Sequence, residues 1–252
     1  MPGPKLDWPV YQKSVRYCLP MGLLEDDTAL VTGTGGGIGL AIAQALEEEG
    51  AKVLRADLKD ADLSQPGAAL GLAESALRKF GQVSIFVHAA SPPRRETQTA
   101  LAVTEAEWRA MLEVNLNAGF LIAQALGRHM RERKIKGRML FVTSLHADSP
   151  RNLPHYSASK AGQTMLMKEL ARALGPDGIR VNAIAPGAVP GAGFKGSPGL
   201  VDRIALGRVG KPADIAPMAV AILSQKYGGY MTGATVVVDG GIALHNWIGP
   251  AG

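Results

Sequence analysis

Hydrophobic positions along the chain fall into short unbroken runs, separated by longer stretches with a helical period. The runs 28–33 (TALVTG), 51–57 (AKVLRAD), 83–89 (VSIFVHA), 137–144 (GRMLFVTS), 180–186 (RVNAIAP) and 234–241 (ATVVVDGG) are largely apolar on successive positions, as expected of strands covered on both faces. Between them, residues 40–50 set Leu40, Ala43 and Leu46 on one helical face, and 65–80 has a similar period. Thr104-x-x-Glu107 is a capping box that opens a helix expected to run to about Met130. A helix from Ser157 to Leu174 stops at Gly175, and Pro212 opens the first turn of PADIAPMAVAIL. Strands alternating with helices, without repeat or linker, predict an α/β chain with a doubly wound parallel sheet in three α/β/α layers. Residues 26–252 then form one domain, and 1–25 an irregular N-terminal arm. One interval is short: only 25 residues separate Asp57 from Val83. Either one crossover is abbreviated, or Ala61–Ser64 is a vestigial strand.

Composition narrows the class. Of 252 residues 46% are hydrophobic and 19% charged, enough for a large core and too little charge for disorder. The single Cys18 excludes an internal disulfide framework and a multi-thiolate metal site, and suits a reducing compartment. The histidines at 88, 129, 146, 155 and 245 lack ligand spacing, so no metal is expected. The net charge of +5 is modest, and its one dense run, Arg128 to Lys136, has no interleaved aromatics; it reads as the solvated end of a helix rather than a nucleic-acid surface. With no apolar stretch of membrane-spanning length and no signal-peptide pattern at the start, the expected location is cytoplasmic.

The first strand runs into Thr32-Gly33-Thr34-Gly35-Gly36-Gly37-Ile38-Gly39 and then a helix. Free backbone N–H groups and the positive end of a helix suit a pyrophosphate there, and glycines permit close approach. No Gly-Lys-Ser/Thr closes the loop, and the strict G-x-G-x-x-G fails, but T-G-x-x-x-G-x-G fits through Thr32, Gly33, Gly37 and Gly39. Asp57, at the end of the second strand, can accept both ribose hydroxyls of adenosine and would repel a 2′-phosphate. Gly36 leaves no basic side chain in the loop, so NAD is favoured over NADP, although Arg55 and Lys59 flank Asp57.

Tyr156 and Lys160 stand four apart at the start of a helix and share a face. A phenol alone titrates near ~10, and a neighbouring ammonium stabilises the phenolate, which makes the tyrosine a workable acid/base. Ser144 ends the preceding strand, and its hydroxyl would face the same crevice at the carboxyl end of the sheet.

Together TGTGGGIG (32–39), Asn115 in VNLNAG, Ser144, YSASK (156–160), RVNAIAPG (180–187), ALGRVGKPADIA (205–216) and TGATVVVDGG (232–241) resemble the short-chain dehydrogenase/reductase family, over about Asp26 to Leu244. The resemblance implies a Rossmann-like fold and NAD(P)-dependent interconversion of an alcohol and a carbonyl. It implies Tyr156 as acid/base, Lys160 on the ribose and beside the phenol, Ser144 on the substrate oxygen and Asn115 positioning a proton-relay water. Cofactor contacts are implied for Gly33, Gly37, Ile38, Gly39, Asp57, Asp62, Ala89, Tyr156, Lys160, Pro186, Gly187 and Val189. The chain departs from the family in four places. His88-Ala89-Ala90-Ser91 stands for the usual Asn-Asn-Ala-Gly, where His88 is a pocket residue or, better, a substitute that supports the backbone. Pro186-Gly187-Ala188-Val189-Pro190-Gly191 lacks the usual threonine, the gap from Ser144 to Tyr156 is one residue short of the commoner spacing, and the loop from Gly187 to Leu206 is short.

Two loops, 88–95 and 145–155, should flank the substrate; they are polar and carry no aromatic. Arg94, His146 and Asn152 are the candidate substrate contacts, and a polyol, sugar or hydroxy acid is expected. The alternatives are an NADPH-dependent 3-oxoacyl reductase and a non-catalytic dinucleotide-binding protein. Apolar faces carried by Leu116, Phe120, Ala123 and Leu126, and by Ala161, Met165 and Ala171, are expected to build a homotetramer, with Trp8, Tyr11 and Trp247 adding contacts.

Overall fold

A computed structural model describes residues 22–95, 97–191 and 199–244. Six parallel strands, β1 (Thr28–Thr32), β2 (Lys52–Ala56), β3 (Ile85–His88), β4 (Arg138–Val142), β5 (Arg180–Pro186) and β6 (Thr235–Val238), form one sheet in the order β2-β1-β3-β4-β5-β6. The helices are α1 (Gly37–Glu48), α2 (Ala68–Phe80), α3 (Glu105–Leu112), α4 (Gly119–Glu132), α5 (Pro154–Leu174), α6 (Pro212–Leu223) and the single turn α7 (Gln225–Gly228). The chain is the doubly wound, three-layer Rossmann-like fold that the alternation of runs predicts. Neighbouring residues of each central strand serve opposite cores, which is why the runs are unbroken. Leu30, Phe86, Met139, Phe141 and Val181 face α2, α4 and α5. Val31, Val87, Leu140 and Ile184 face α1 and α6.

The sheet has no strand between β2 and β3. Residues 57–67 turn back on themselves: the Asp57 carbonyl accepts from the Asp60 and Ala61 amides, and Asp62 Oδ1 accepts from the Ser64 amide at 3.0 Å and its hydroxyl at 2.7 Å. Of the two expectations for this interval the abbreviated crossover holds and the vestigial strand does not. The segment is too short to leave the sheet, add a strand and return, so β2 is left as the edge.

Strand order reverses at β1, with β2 on one side and β3 on the other, so the loops after β1 and β3 diverge and open a crevice at the carboxyl ends. At the opposite end of the strands the chain is tied shut. Arg180 Nη1 donates to the Ile222 carbonyl at 2.8 Å and its Nη2 to Leu223 at 3.1 Å, while Arg138 Nε reaches Leu223 at 3.0 Å and its Nη2 pairs with Asp27. Two guanidinium groups thus satisfy the carbonyls that end α6. Leu24 is fully buried in the α1/α6 core, so the packed chain begins ahead of Asp26. Residues 1–21, with Trp8, Tyr11 and Cys18, and the tail residue Trp247 lie outside the described residues.

Candidate active site

The glycine loop turns from β1 into α1, whose first turn starts at Gly37, three residues earlier than the apolar period suggests. No side chain caps that helix end, so its leading N–H groups stay available to an anion. Gly33 has φ +75°, and a β-carbon on it would come within 2.6 Å of the Ala90 nitrogen; only glycine lets the loops after β1 and β3 close on each other. Thr32 stitches the same junction, its hydroxyl oxygen accepting from the Ala89 amide at 3.2 Å and the Ala90 amide at 3.3 Å. Gly39 is buried against the Gly33 carbonyl, and Ile38 packs on the α1/α6 core. Space around Gly36 and Gly37 is open.

Asp57 sits at the end of β2 with its carboxylate against Gly35, where any side chain would collide with it. That carboxylate makes no hydrogen bond among the described residues. The neighbouring Arg55 is engaged elsewhere: its Nε donates to Glu47 Oε1 on α1 at 3.0 Å. Asp62 is half-buried and caps its own turn, the Ser64 bonds holding its carboxyl below the usual carboxylate range. On the far side of the crevice, Gly187 is pressed to within 2.6 Å of the Asp239 backbone, measured from where a β-carbon would be. Pro186, Gly187 and Val189 line a pocket with Arg94, Ser144, His146, Arg151, Leu200 and Ile242. Open helix N–H groups, a free carboxylate at a strand end and two glycines without room for a side chain fit a dinucleotide.

Tyr156 and Lys160, on the first two turns of α5, are buried, at 6% and 2% exposure. The Tyr156 ring is bracketed by two pocket residues, the Arg94 guanidinium 4.2 Å from its centroid and the His146 ring edge-on at 5.0 Å. Lys160 Nζ lies 5.7 Å from the same centroid and donates to the Val142 carbonyl at 2.7 Å and to Gln163 Oε1 at 3.1 Å. Burial, helped by the Arg94 charge, brings the Lys160 ammonium down to about 7. His146 is pushed down to about 4, by burial first and then by Arg94 and Arg151, so it is neutral at pH 7. Ser144 is buried just past β4, and its hydroxyl oxygen accepts from the His146 amide at 3.3 Å. Asn152 is not brought to this pocket; it is exposed in a turn with φ 58°, a conformation that a short polar side chain tolerates. The polarity of its loop suggested a contact, but the backbone turn aims it outward.

The helix expected from Thr104 to Met130 carries a defect. Its capping box forms, the Thr104 hydroxyl accepting from the Glu107 amide at 3.2 Å, yet Glu113–Ala118 widens into a π-turn between α3 and α4. Asn115 stands in it, fully buried. Its Nδ2 donates to Ser159 Oγ at 2.8 Å, while its Oδ1 has no partner among the described residues. Two buried side chains donate to carbonyls of the widened turn. Gln163 Nε2 bonds Asn115 O at 2.9 Å, and His88 Nε2 bonds Val114 O at 3.1 Å. The tautomer of His88 follows from the inventory. Thr32 Oγ1 already accepts two amides, so its hydrogen goes to His88 Nδ1 at 3.0 Å, and Nε2 carries the imidazole proton. Full burial and the Lys160 charge push His88 down to about 3. His88 therefore supports backbone and does not line the pocket. Gln163 went unnoticed in the sequence, although its spacing puts it on the stripe of Tyr156 and Lys160.

Residues 33–243 match the family model described as enoyl-(acyl carrier protein) reductase. The chain is 31% identical to glucose 1-dehydrogenase 2 of Bacillus subtilis (strain 168), over 88% of this chain and 96% of that protein. The chain belongs to the short-chain dehydrogenase/reductase family. It is also 33% identical to 3beta-hydroxysteroid dehydrogenase 1 of Eggerthella lenta, over 88% of this chain and 95% of that one. Among solved structures, 3-ketoacyl-(acyl-carrier-protein) reductase from Brucella melitensis complexed with NADH superposes with a TM-score of 0.81 at 31% identity, covering 87% of this chain and 99% of that one. Short-chain dehydrogenases/reductases are NAD(P)-dependent oxidoreductases acting on small molecules, and so is this protein. No helix among its described residues is long and apolar enough to cross a membrane.

Proposed function

We propose that the protein is an NAD-dependent oxidoreductase that interconverts a secondary alcohol and a ketone on a small polar substrate. The observation that carries the reading is the buried Tyr156–Lys160 pair, its phenol ring bracketed by pocket side chains and its ammonium fixed by a strand carbonyl. In this reading the nicotinamide, when bound, takes up or supplies a hydride. Tyr156 exchanges the substrate hydroxyl proton at its Oη. Lys160 steadies the phenolate and binds the cofactor ribose, and Ser144 orients the substrate oxygen. Asn115, whose Oδ1 is buried and unpartnered, holds a relay water. Gly33, Gly37, Ile38, Gly39, Ala89, Pro186, Gly187 and Val189 shape the dinucleotide cleft.

The preference for NAD rests on the free Asp57 carboxylate and on Arg55, already paired with Glu47. The substrate class is a polyol, sugar or hydroxy acid. Arg94 and Arg151 line the pocket with no carboxylate among its described lining residues, which favours the hydroxy acid. A 3-oxoacyl reductase is the second reading, supported by the printed name of the Brucella neighbour. A screen of hydroxy acids, sugars, polyols and 3-oxoacyl thioesters with both cofactors separates these. NADH formation from a hydroxy acid is expected, and turnover confined to NADPH with the thioesters would reverse the assignment. A cytoplasmic homotetramer completes the proposal, supported by Phe120 and Met165, exposed at 36% and 57% on α4 and α5. Light scattering at micromolar concentration is expected to give four times the chain mass, and a monomer mass would reject it.

A further inference from the structure

Gln163 is fully buried, one turn beyond Lys160 on α5. Burying an amide costs free energy unless both of its ends are bonded, and an apolar side chain of the same size would avoid that cost. Here both ends are bonded, and both partners belong to the site: Nε2 donates to the Asn115 main-chain carbonyl at 2.9 Å, and Oε1 accepts from Lys160 Nζ at 3.1 Å. The amide therefore joins the widened turn, which fixes Asn115, to the ammonium beside Tyr156. Asn115 also keeps a buried side-chain Oδ1 with no partner among the described residues, open to a water.

We propose that Gln163 is a positioning residue of this active site: its amide bridges Asn115 and Lys160 directly, holds Nζ at one point, and favours the charged lysine. The inference rests on the dehydrogenase reading above and adds to it a residue that does not touch substrate or cofactor. Among the described residues, the charged and titratable groups facing Lys160 are Tyr156 on its own helix, His88 on β3 and Arg94 on the loop after β3. His88 is neutral at any working pH, and Arg94 opposes the ammonium. The favourable partners are thus the Val142 and Gln163 carbonyl oxygens, and loss of either tips the balance toward neutral lysine.

The test compares Gln163→Leu, which removes the acceptor, with the isosteric Gln163→Glu, which puts a carboxylate in its place. In the full-length protein labelled with [¹³C]lysine, the Lys160 Cε signal, assigned by its loss in Lys160→Met, is followed by NMR against pH. Gln163→Leu should lower the Lys160 midpoint and Gln163→Glu should raise it, each by roughly one pH unit, the worth of one hydrogen bond to a charged group. NADH fluorescence titration at pH 8 should then show several-fold weaker binding for Gln163→Leu and none of that loss for Gln163→Glu. A merely structural glutamine would lower the melting temperature in both variants without moving the midpoints in opposite directions, and that result would overturn the inference. Should Gln163→Leu fail to fold, the upward shift in Gln163→Glu alone decides. A wild-type protein that binds no dinucleotide would refute the dehydrogenase reading, while the NMR comparison would still judge Gln163.

Discussion

The two ends of the same sheet solve the problem of buried polar groups in opposite ways. At the amino ends of the strands, Arg138 and Arg180 are largely buried, yet their guanidinium groups are spent on the last carbonyls of α6 and on Asp27. Arg180 is lowered to about 10 by burial and by Arg138, still far above any working pH, so this end has one charge state. At the carboxyl ends, among the described residues, helix N–H groups stay uncapped, the Asp57 carboxylate makes no hydrogen bond, Asn115 Oδ1 is unpartnered and Lys160 lies near its titration point. An end that satisfies itself holds the fold together, and an end that does not is poised for a ligand.

Altering one residue at each end, and reading both activity and stability, separates the two roles most sharply. Tyr156→Phe should lower turnover by roughly 10²–10⁴, the usual worth of a lost general acid/base, with the melting temperature nearly unchanged, as steady-state kinetics and calorimetry would show. Arg180→Met should do the reverse. It strands the carbonyls at the end of α6, at a cost of about 2–3 kcal/mol in urea unfolding, while each folded molecule keeps its turnover. An activity loss in Arg180→Met matching that of Tyr156→Phe would erase the distinction.

A smaller effect separates the ends by pH. His88 and His146 are held at about 3 and about 4 in the fold, below the ordinary histidine value of 6.5. Between these values and 6.5 the unfolded chain binds more protons, so stability is complete above about 6.5 and falls as the pH drops through that window. Melting temperatures from pH 7 to 4 should fall less steeply in His88→Asn than in the wild type. Equal slopes would mean that His88 is already charged in the fold. Smallest of all, Arg55→Ala should leave the ratio of NADH to NADPH affinity within about twofold, because its guanidinium is held by Glu47; a marked loss of NADPH binding would show that it reaches the cofactor.

Much of this was legible in the chain, for identifiable reasons. The strands could be read because burial on two faces leaves unbroken apolar runs, and the glycine loop because close backbone approach excludes side chains. The shortage of residues between Asp57 and Val83 announced a missing unit, but only the fold decided between its two explanations. The π-turn was illegible, since the side chains that donate to its carbonyls come from β3 and α5, far away in sequence. Asn152 stands exposed beside the pocket-lining Arg151, and loop polarity alone does not tell which of two neighbours a turn presents to the pocket.

Calorimetric titration of the purified protein with NADH and with NADPH puts the proposed NAD site at the carboxyl end of the sheet to the test. Saturable binding is expected for both, with NADH at least tenfold tighter, an estimate of roughly 1.4 kcal/mol for meeting ribose hydroxyls rather than a 2′-phosphate at Asp57. Equal or tighter binding of NADPH would overturn the proposed NAD preference, and no binding of either would overturn the proposed site.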